Sequence, residues 1–227
     1  MAAGAREHEA ETDGAGALAG DADTRPATPR ERRRTRTMRT IQGEALALFA
    51  EKGYEQTTVD DIAGAADISP RTFFRYFPTK EDVVLWDEYD ALIWEMLDQR
   101  PGDESPGETM RAITHQMIEG LYRRDPERLL ARNRLLFSVP AVRARFLDFA
   151  RAGVDVLTSD FAARRGLGPE DDLKLQITAV AIVDAAAAAF DRWQRADGKA
   201  DLLALLDEAT DALIAGVGEL QPSSRRR

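Results

Sequence analysis

The sequence contains no cysteine and only two histidines among 227 residues. Without thiols there are no disulfides and no thiolate metal sites. His8 and His115 lie too far apart to make a metal-ligand spacing, and His115 reads as a polar position on a helix. There is no glycine-rich phosphate loop, and the plentiful acids and bases fall at the spacing of solvated helix faces. An enzyme, a bound metal or a cofactor is therefore not expected. No uninterrupted apolar run approaches the ~18–20 residues of a membrane span. The first residues are acidic and lack the basic and apolar regions of a secretory signal. The expected location is the cytoplasm, with no membrane partner. Strand-like alternation is also missing, so the expected fold class is all-α.

What is present centres on residues 69–77, Ser-Pro-Arg-Thr-Phe-Phe-Arg-Tyr-Phe. Ser69 suits a helix N-cap, and Pro70 suits the first helical position. Phe73 and Phe77 are four apart and share one face, which can anchor the helix to a core. Off that face lie Arg71, Thr72, Phe74, Arg75 and Tyr76, a mixed set that suits phosphates, base edges and thymine methyls. Pro78 and Thr79 stop this helix and open the next. Upstream, Thr58 and Asp61 resemble a capping box, with Asp in place of the usual Glu or Gln. Val59, Ile62, Ala63 and Ala66 form one apolar stripe. Asp67 falls where the chain must turn, and Asp tolerates the left-handed conformation. Two short helices, a tight turn and an exposed Arg/aromatic face make a helix-turn-helix pattern.

These residues resemble the DNA-binding domain of the TetR family of bacterial transcriptional regulators. The matching positions run Ala45, Leu48, Phe49, Lys52, Gly53, Tyr54; then Thr57, Thr58, Val59, Ile62, Ala63; then Ile68, Ser69, Thr72 to Pro78, Lys80 and Glu81. Three positions depart from the family pattern. Asp67 replaces the usual turn Gly, Arg71 the usual small residue, and Phe74 an often-found Tyr. The resemblance implies a double-stranded DNA operator, read as a palindrome by a homodimer, and a small-molecule effector. Repression is the family's usual sign. It also implies DNA contacts from Thr57, Thr58, Ser69, Pro70, Arg71, Thr72, Phe74, Arg75, Tyr76 and Lys80.

The net charge of −9 is unevenly spread. Residues 1–24 carry Arg6 against six acids, whereas residues 25–80 carry eleven Lys and Arg against seven Asp and Glu. The basic charge is concentrated at the helix-turn-helix. Residues 1–29 hold almost no large apolar side chains and read as a disordered acidic tail. Arg32, Arg33, Arg34 and Arg36 follow in an arginine-rich stretch. They read as a basic arm on phosphates or in a minor groove, the alternative being a solvated helix start.

Residues 30–80 are thus assigned to the DNA-binding domain, with a recognition helix at about 70–77. Residues 81–218 are assigned to a C-terminal helical domain for ligand binding and dimerisation, and 219–227 to a tail. A helix is expected from 81 to about 99, then a break at 101–107, then helices at about 109–123, 127–138, 141–164, 170–196 and 201–218. Residues 109–217 are similar to a C-terminal subclass that includes the mycofactocin regulators, whose members are associated with acyl-CoA-like ligands. Candidate pocket residues are Met117, Leu121, Arg134, Phe137, Phe146 and Phe149. The small-residue run 185–189 suits close helix approach, which points to a dimer interface at Ala185, Ala189, Trp193, Leu206 and Leu213, the alternative being an ordinary core helix. The alternative to a regulator is a helical dimeric interaction module that does not read DNA.

Overall fold

The computed structural model describes residues 28–120, 122–164, 166, 168 and 173–216. The acidic tail 1–27, Leu121, the expected helix start at 170–172 and the residues after 216 lie outside the described residues. Among those described there is no strand. Ten α-helices follow in order: α1 (Pro29–Lys52), α2 (Val59–Ala65), α3 (Pro70–Tyr76), α4 (Lys80–Leu85), α5 (Asp90–Asp98), α6 (Pro106–Gly120), α7 (Pro126–Ser138), α8 (Pro140–Ala163), α9 (Leu173–Arg195) and α10 (Leu202–Ala215). The expected all-α class is observed.

The arginine-rich stretch is helix, not an extended arm. Thr28 caps α1, its hydroxyl accepting from the Glu31 N–H while Glu31 accepts from the Thr28 N–H. Pro29 occupies the first helical position, where its missing N–H costs nothing. Arg32, Arg33, Arg34 and Arg36 therefore project from the first turns of a 24-residue helix. Gly53 ends α1 with φ 85° and ψ 155°. Its φ is positive as expected, but the ψ is extended rather than left-handed helical, a region only glycine enters readily.

The helix expected from 81 to 99 is broken in two. Residues 86–89 separate α4 from α5. The reason is visible in the hydrogen bonds. Gln42 Nε2 donates to the carbonyls of Val83 at 2.6 Å and Trp86 at 2.8 Å. Arg132 donates to the carbonyls of Val84 at 3.0 Å and Leu85 at 3.1 Å. The last carbonyls of α4 are thus satisfied by side chains of α1 and α7, so no further helical turn is needed to pair them.

The core of the N-terminal head contains Ile41, Phe49, Ile62, Phe73, Phe77 and Val83. Burying each such side chain contributes about 1.5–3 kcal/mol. Val139 and Val142, at the α7–α8 corner, belong to the same cluster. The head is therefore wedged onto the C-terminal body. Two further clusters fill that body. One joins Leu97, Ile113, Met117, Leu157, Phe161 and Ala179. The other joins Ile118, Leu129, Ala189, Trp193, Leu202 and Leu206.

Helix α9 modifies one sequence expectation. Its 23 residues contain an 18-residue stretch with a mean hydropathy of 1.6, which by length and composition suffices to cross a membrane. Lys174 and Asp184 interrupt the apolar run within that stretch, and Asp191 follows it. In the fold this helix contributes to both body clusters, through Leu175, Ala179 and Ile182 and then Ala189 and Trp193.

Candidate DNA interface and the junction behind it

Local chemistry fixes the pair α2 and α3 before any packing is considered. The Thr58 hydroxyl accepts from the Asp61 N–H at 3.1 Å, and Asp61 accepts from the Thr58 N–H at 2.9 Å. Asp works in this capping box although it is one methylene shorter than Glu. The Thr58 N–H and hydroxyl, with Lys52 beyond them, lower the Asp61 carboxyl to a pKa of about 2. After α2 the chain turns at Asp67, whose φ is 52°. That left-handed residue lets the Ile68 N–H donate back to Ala63 at 2.9 Å. Ser69 then caps α3, accepting from the Thr72 N–H at 3.1 Å.

Helix α3 buries one face and offers the other. Phe73 is 0% exposed and Phe74, the next residue, is 53% exposed. The two rings meet edge to face with centroids 5.4 Å apart, so the exposed ring is held against the buried one. Pro70, Arg71 and Arg75 are exposed, and Thr72 and Tyr76 are half-buried. The Thr72 hydroxyl lies 2.9 Å from that of Ser69. The guanidiniums of Arg34 and Arg75 each lie 5.3 Å from the centre of the Tyr76 ring. Burial raises the Tyr76 phenol, but the Thr37 hydrogen bond and the two arginines outweigh it, and the net shift is downward. Tyr76 thereby ties the start of α1 to the end of α3. Between them lies a groove lined by Arg30, Arg33, Arg34 and Arg75. None of these four, nor Arg36 or Arg71, forms a salt bridge among the described residues. Arg32 is exposed on the same helix.

Two residues expected on this face point inward instead. Thr57 is 1% exposed, and its hydroxyl donates to the Gly53 carbonyl at 2.8 Å. Lys80 donates to the carbonyls of Tyr54 at 2.9 Å and Thr57 at 3.1 Å, and its ammonium sits 4.0 Å from the centre of the Tyr54 ring. Both brace the loop that precedes α2. Their polar groups satisfy backbone carbonyls, which explains why these residue types are needed there without any phosphate.

Behind the head lies a polar junction that sequence reading missed. Arg128 Nε donates to Gln42 Oε1 at 2.8 Å, and its Nη1 pairs with Glu88 at 3.1 Å. Arg39 pairs with the same Glu88. Arg132 pairs with Asp87 at 2.6 Å, and the Tyr122 hydroxyl donates to that carboxylate. Burial opposes ionisation of Asp87, but the charge and hydrogen bond of Arg132, then Tyr122 and the Tyr89 N–H, hold its carboxyl below the usual range. One signal was legible. Gln42 follows Met38 by four and Ile41 by one on the buried stripe of α1, and a polar residue there demands partners.

The expected pocket residues do not gather at one place. Met117 is buried in the body core, and Arg134 is exposed and pairs with Asp197. Phe137 and Phe146 are half-buried, whereas Phe149 is 37% exposed. Leu121 lies outside the described residues. A cavity of about 270 Å³ opens instead at the junction, and none of the five described candidates lines it. The expected dimer residues divide similarly. Ala189, Trp193 and Leu206 are buried within the chain's own core, and Ala185 is half-buried. A helix apolar on several faces has to pack its largest groups at home, which leaves smaller stripes outside. Leu213 is exposed, as are Ile214 beside it and Leu173, Ile177 and Val180 on α9. His115 lies 2.9 Å from Asp207, tying α6 to α10.

The description "bacterial regulatory proteins, tetR family" fits residues 41–85, the span from mid-α1 to the end of α4. Residues 104–218, half of the chain, match the MftR C-terminal domain. The regulator TcmR of Streptomyces glaucescens is 34% identical over 194 residues, 81% of this chain and 85% of that protein. The putative mycofactocin biosynthesis regulator MftR of Mycobacterium tuberculosis is 28% identical over 191 residues, 83% of this chain and 95% of that protein. In three dimensions the chain is similar to FadR of Thermus thermophilus, a repressor solved with lauroyl-CoA. That similarity has a TM-score of 0.53 at 25% identity and covers 84% of this chain and 100% of the other. These matches span both the head and the body, and the chain belongs to the TetR family of transcriptional regulators.

Proposed function

We propose that this protein is a homodimeric repressor whose two heads read a palindromic operator and release it when an acyl-CoA-like effector binds the body. We assign the head to residues 30–80 and the effector and dimer domain to residues 81–218. The observation that carries the DNA reading is the outer face of α3. Arg71 and Arg75 carry guanidiniums without a carboxylate partner among the described residues, and Phe74 holds an exposed ring beside the anchored Phe73. Arg71 and Phe74 suit base edges and methyls, while Arg75, Tyr76 and the α1 arginines suit phosphates. Ser69, Thr72 and Thr58 place helix N-termini toward the same backbone.

For the dimer, the exposed Leu173, Ile177 and Val180 recur at helical spacing on α9, with Leu213 and Ile214 at the end of α10. A second copy covering both stripes would bury them and set two α3 helices in successive major grooves, ~34–36 Å apart. The effector reading rests on the lauroyl-CoA complex of the similar FadR and on the apolar body. A cytoplasmic location follows for a protein that must reach DNA.

The test is selection of bound duplexes from a random pool with the full chain. A palindromic consensus supports the reading, and lauroyl-CoA should then release the selected duplex. No enrichment from a folded dimer would favour the interaction module instead.

A further inference from the structure

We infer that the junction cavity between head and body is an anion site, which takes a phosphate group and uses it to uncouple the two. The cavity is walled by α1, the 86–89 link and the start of α7. Four guanidiniums line it, those of Arg39, Arg124, Arg128 and Arg132. Only two carboxylates are set among them to pair, Asp87 and Glu88. The third acid at the wall, Asp125, accepts from the Arg128 backbone N–H as the cap of α7 and acts on Arg39 at longer range, so four guanidiniums face three carboxylates. Glu88 is shared between Arg39 and Arg128, and its side chain is only 6% exposed. Arg124 is exposed and forms no salt bridge among the described residues. One carboxylate is thus shared by two guanidiniums, and a further guanidinium has no salt bridge among the described residues, around a partly enclosed space. A phosphate supplies what is missing, because it accepts from several guanidiniums at once.

Occupation has a structural consequence. Arg128 and Arg132 are the residues that hold Gln42 and the last carbonyls of α4. A phosphate that draws them into the cavity competes with those bonds. The hold of α7 on the head then weakens, and a ligand that binds this loosened state better shifts the equilibrium toward it. The phosphate has two possible sources, a small phosphorylated compound or the headgroup of a coenzyme A thioester. The second rests on the acyl-CoA reading given above.

The experiment measures thermal midpoints of the full chain at matched ionic strength in chloride, inorganic phosphate or free coenzyme A. A saturable rise of about 2–4 °C is expected in phosphate, coenzyme A or both. Saturation separates it from the non-specific effect of phosphate as a stabilising salt. Arg39→Gln leaves Glu88 paired one-to-one with Arg128, and Arg124→Gln removes a guanidinium that makes no salt bridge among the described residues. Each variant, referred to its own midpoint in chloride, should lose most of the rise. A rise in phosphate points to a simple anion as the source, and a rise in coenzyme A alone points to the headgroup. No rise with either probe, or an equal rise in both variants, overturns the inference. No DNA enters this measurement, so its failure leaves the operator reading standing, and failure of the operator selection leaves this site standing.

Discussion

Gln42 on α1 accepts from Arg128 on α7 at 2.8 Å while donating its own amide to two carbonyls at the end of α4. One buried side chain therefore joins three helices from two domains, and all its polar atoms are satisfied. Gln42→Leu removes the amide but leaves the Val83 and Trp86 carbonyls and the Arg128 guanidinium buried. We expect a loss of about 2–4 kcal/mol in urea denaturation. Arg128→Met should lose about 1–3 kcal/mol, since Glu88 keeps Arg39 as a partner. The double variant should fall short of the sum by about 1 kcal/mol or more. Additive losses would show that the bond does not couple α1 to α7.

The same residues explain what could be read in advance. The capping signals were local: Thr58 and Asp61, Ser69 and Pro70, and Gly53 each act within four residues, so the helix-turn-helix was legible from the sequence. The break after Leu85 was not. It is imposed by Gln42 and Arg132, which come from 41 and 47 residues away to the carbonyls they meet. Periodicity carries no trace of such partners. The expected dimer residues divide between core and surface for a related reason. Composition marks α9 as buried on several sides, but it does not say which face a protomer keeps for itself. Trp193 and Leu206 went inward, and Ile177 stayed outside. Lys80 shows the limit of residue type, because an ammonium suited to a phosphate also suits two carbonyls and a tyrosine ring.

Asp67 carries a positive φ of 52° where the chain enters α3. An L-residue held there loses about 1 kcal/mol relative to glycine, and glycine gives back part of this through the entropy of its unfolded state. Asp67→Gly should therefore stabilise the chain by about 0.5 kcal/mol. Asp67→Val should destabilise it by about 1–2 kcal/mol, because a β-branched side chain tolerates this conformation least. Thermal and urea midpoints of the two variants would check the order. A loss on mutation to glycine would mean that the Asp67 side chain, rather than its backbone, holds the turn.

The cap of α2 should give a defined acid response. Asp61 is lowered to about 2 in the folded chain from the ordinary 3.8, chiefly because the Thr58 N–H and hydroxyl bind its charged form. A depressed folded value means that the stabilisation is fully present above the unfolded value. It drains away as the pH falls from about 3.8 toward 2. Asp61→Asn should flatten the dependence of stability on pH in that window and leave its shape above pH ~5 unchanged. Urea midpoints between pH 2 and 6 would show this. Parallel curves for the two proteins would place the acid response elsewhere, for instance at Asp87, whose carboxyl is also lowered.

Arg71 and Arg75 differ by one helical turn and should differ in what they read. Arg71 sits in the first turn of α3, the part of a recognition helix that meets base edges. Arg75 sits in the last turn and packs over Tyr76 beside the α1 arginines. On the operator obtained by selection, Arg71→Ala should relax preference at one position per half-site by about 1–3 kcal/mol. Its effect on unrelated duplexes should be small. Arg75→Ala should weaken binding to all duplexes alike and lower the slope of log affinity against log salt by about 1 per head. Affinities measured across a set of single-base operator variants, each at two salt concentrations, separate the two behaviours. Uniform loss from Arg71→Ala would move that residue to the phosphate backbone. Phe74, exposed and held by Phe73, would then be the main side chain left on α3 to distinguish one base pair from another.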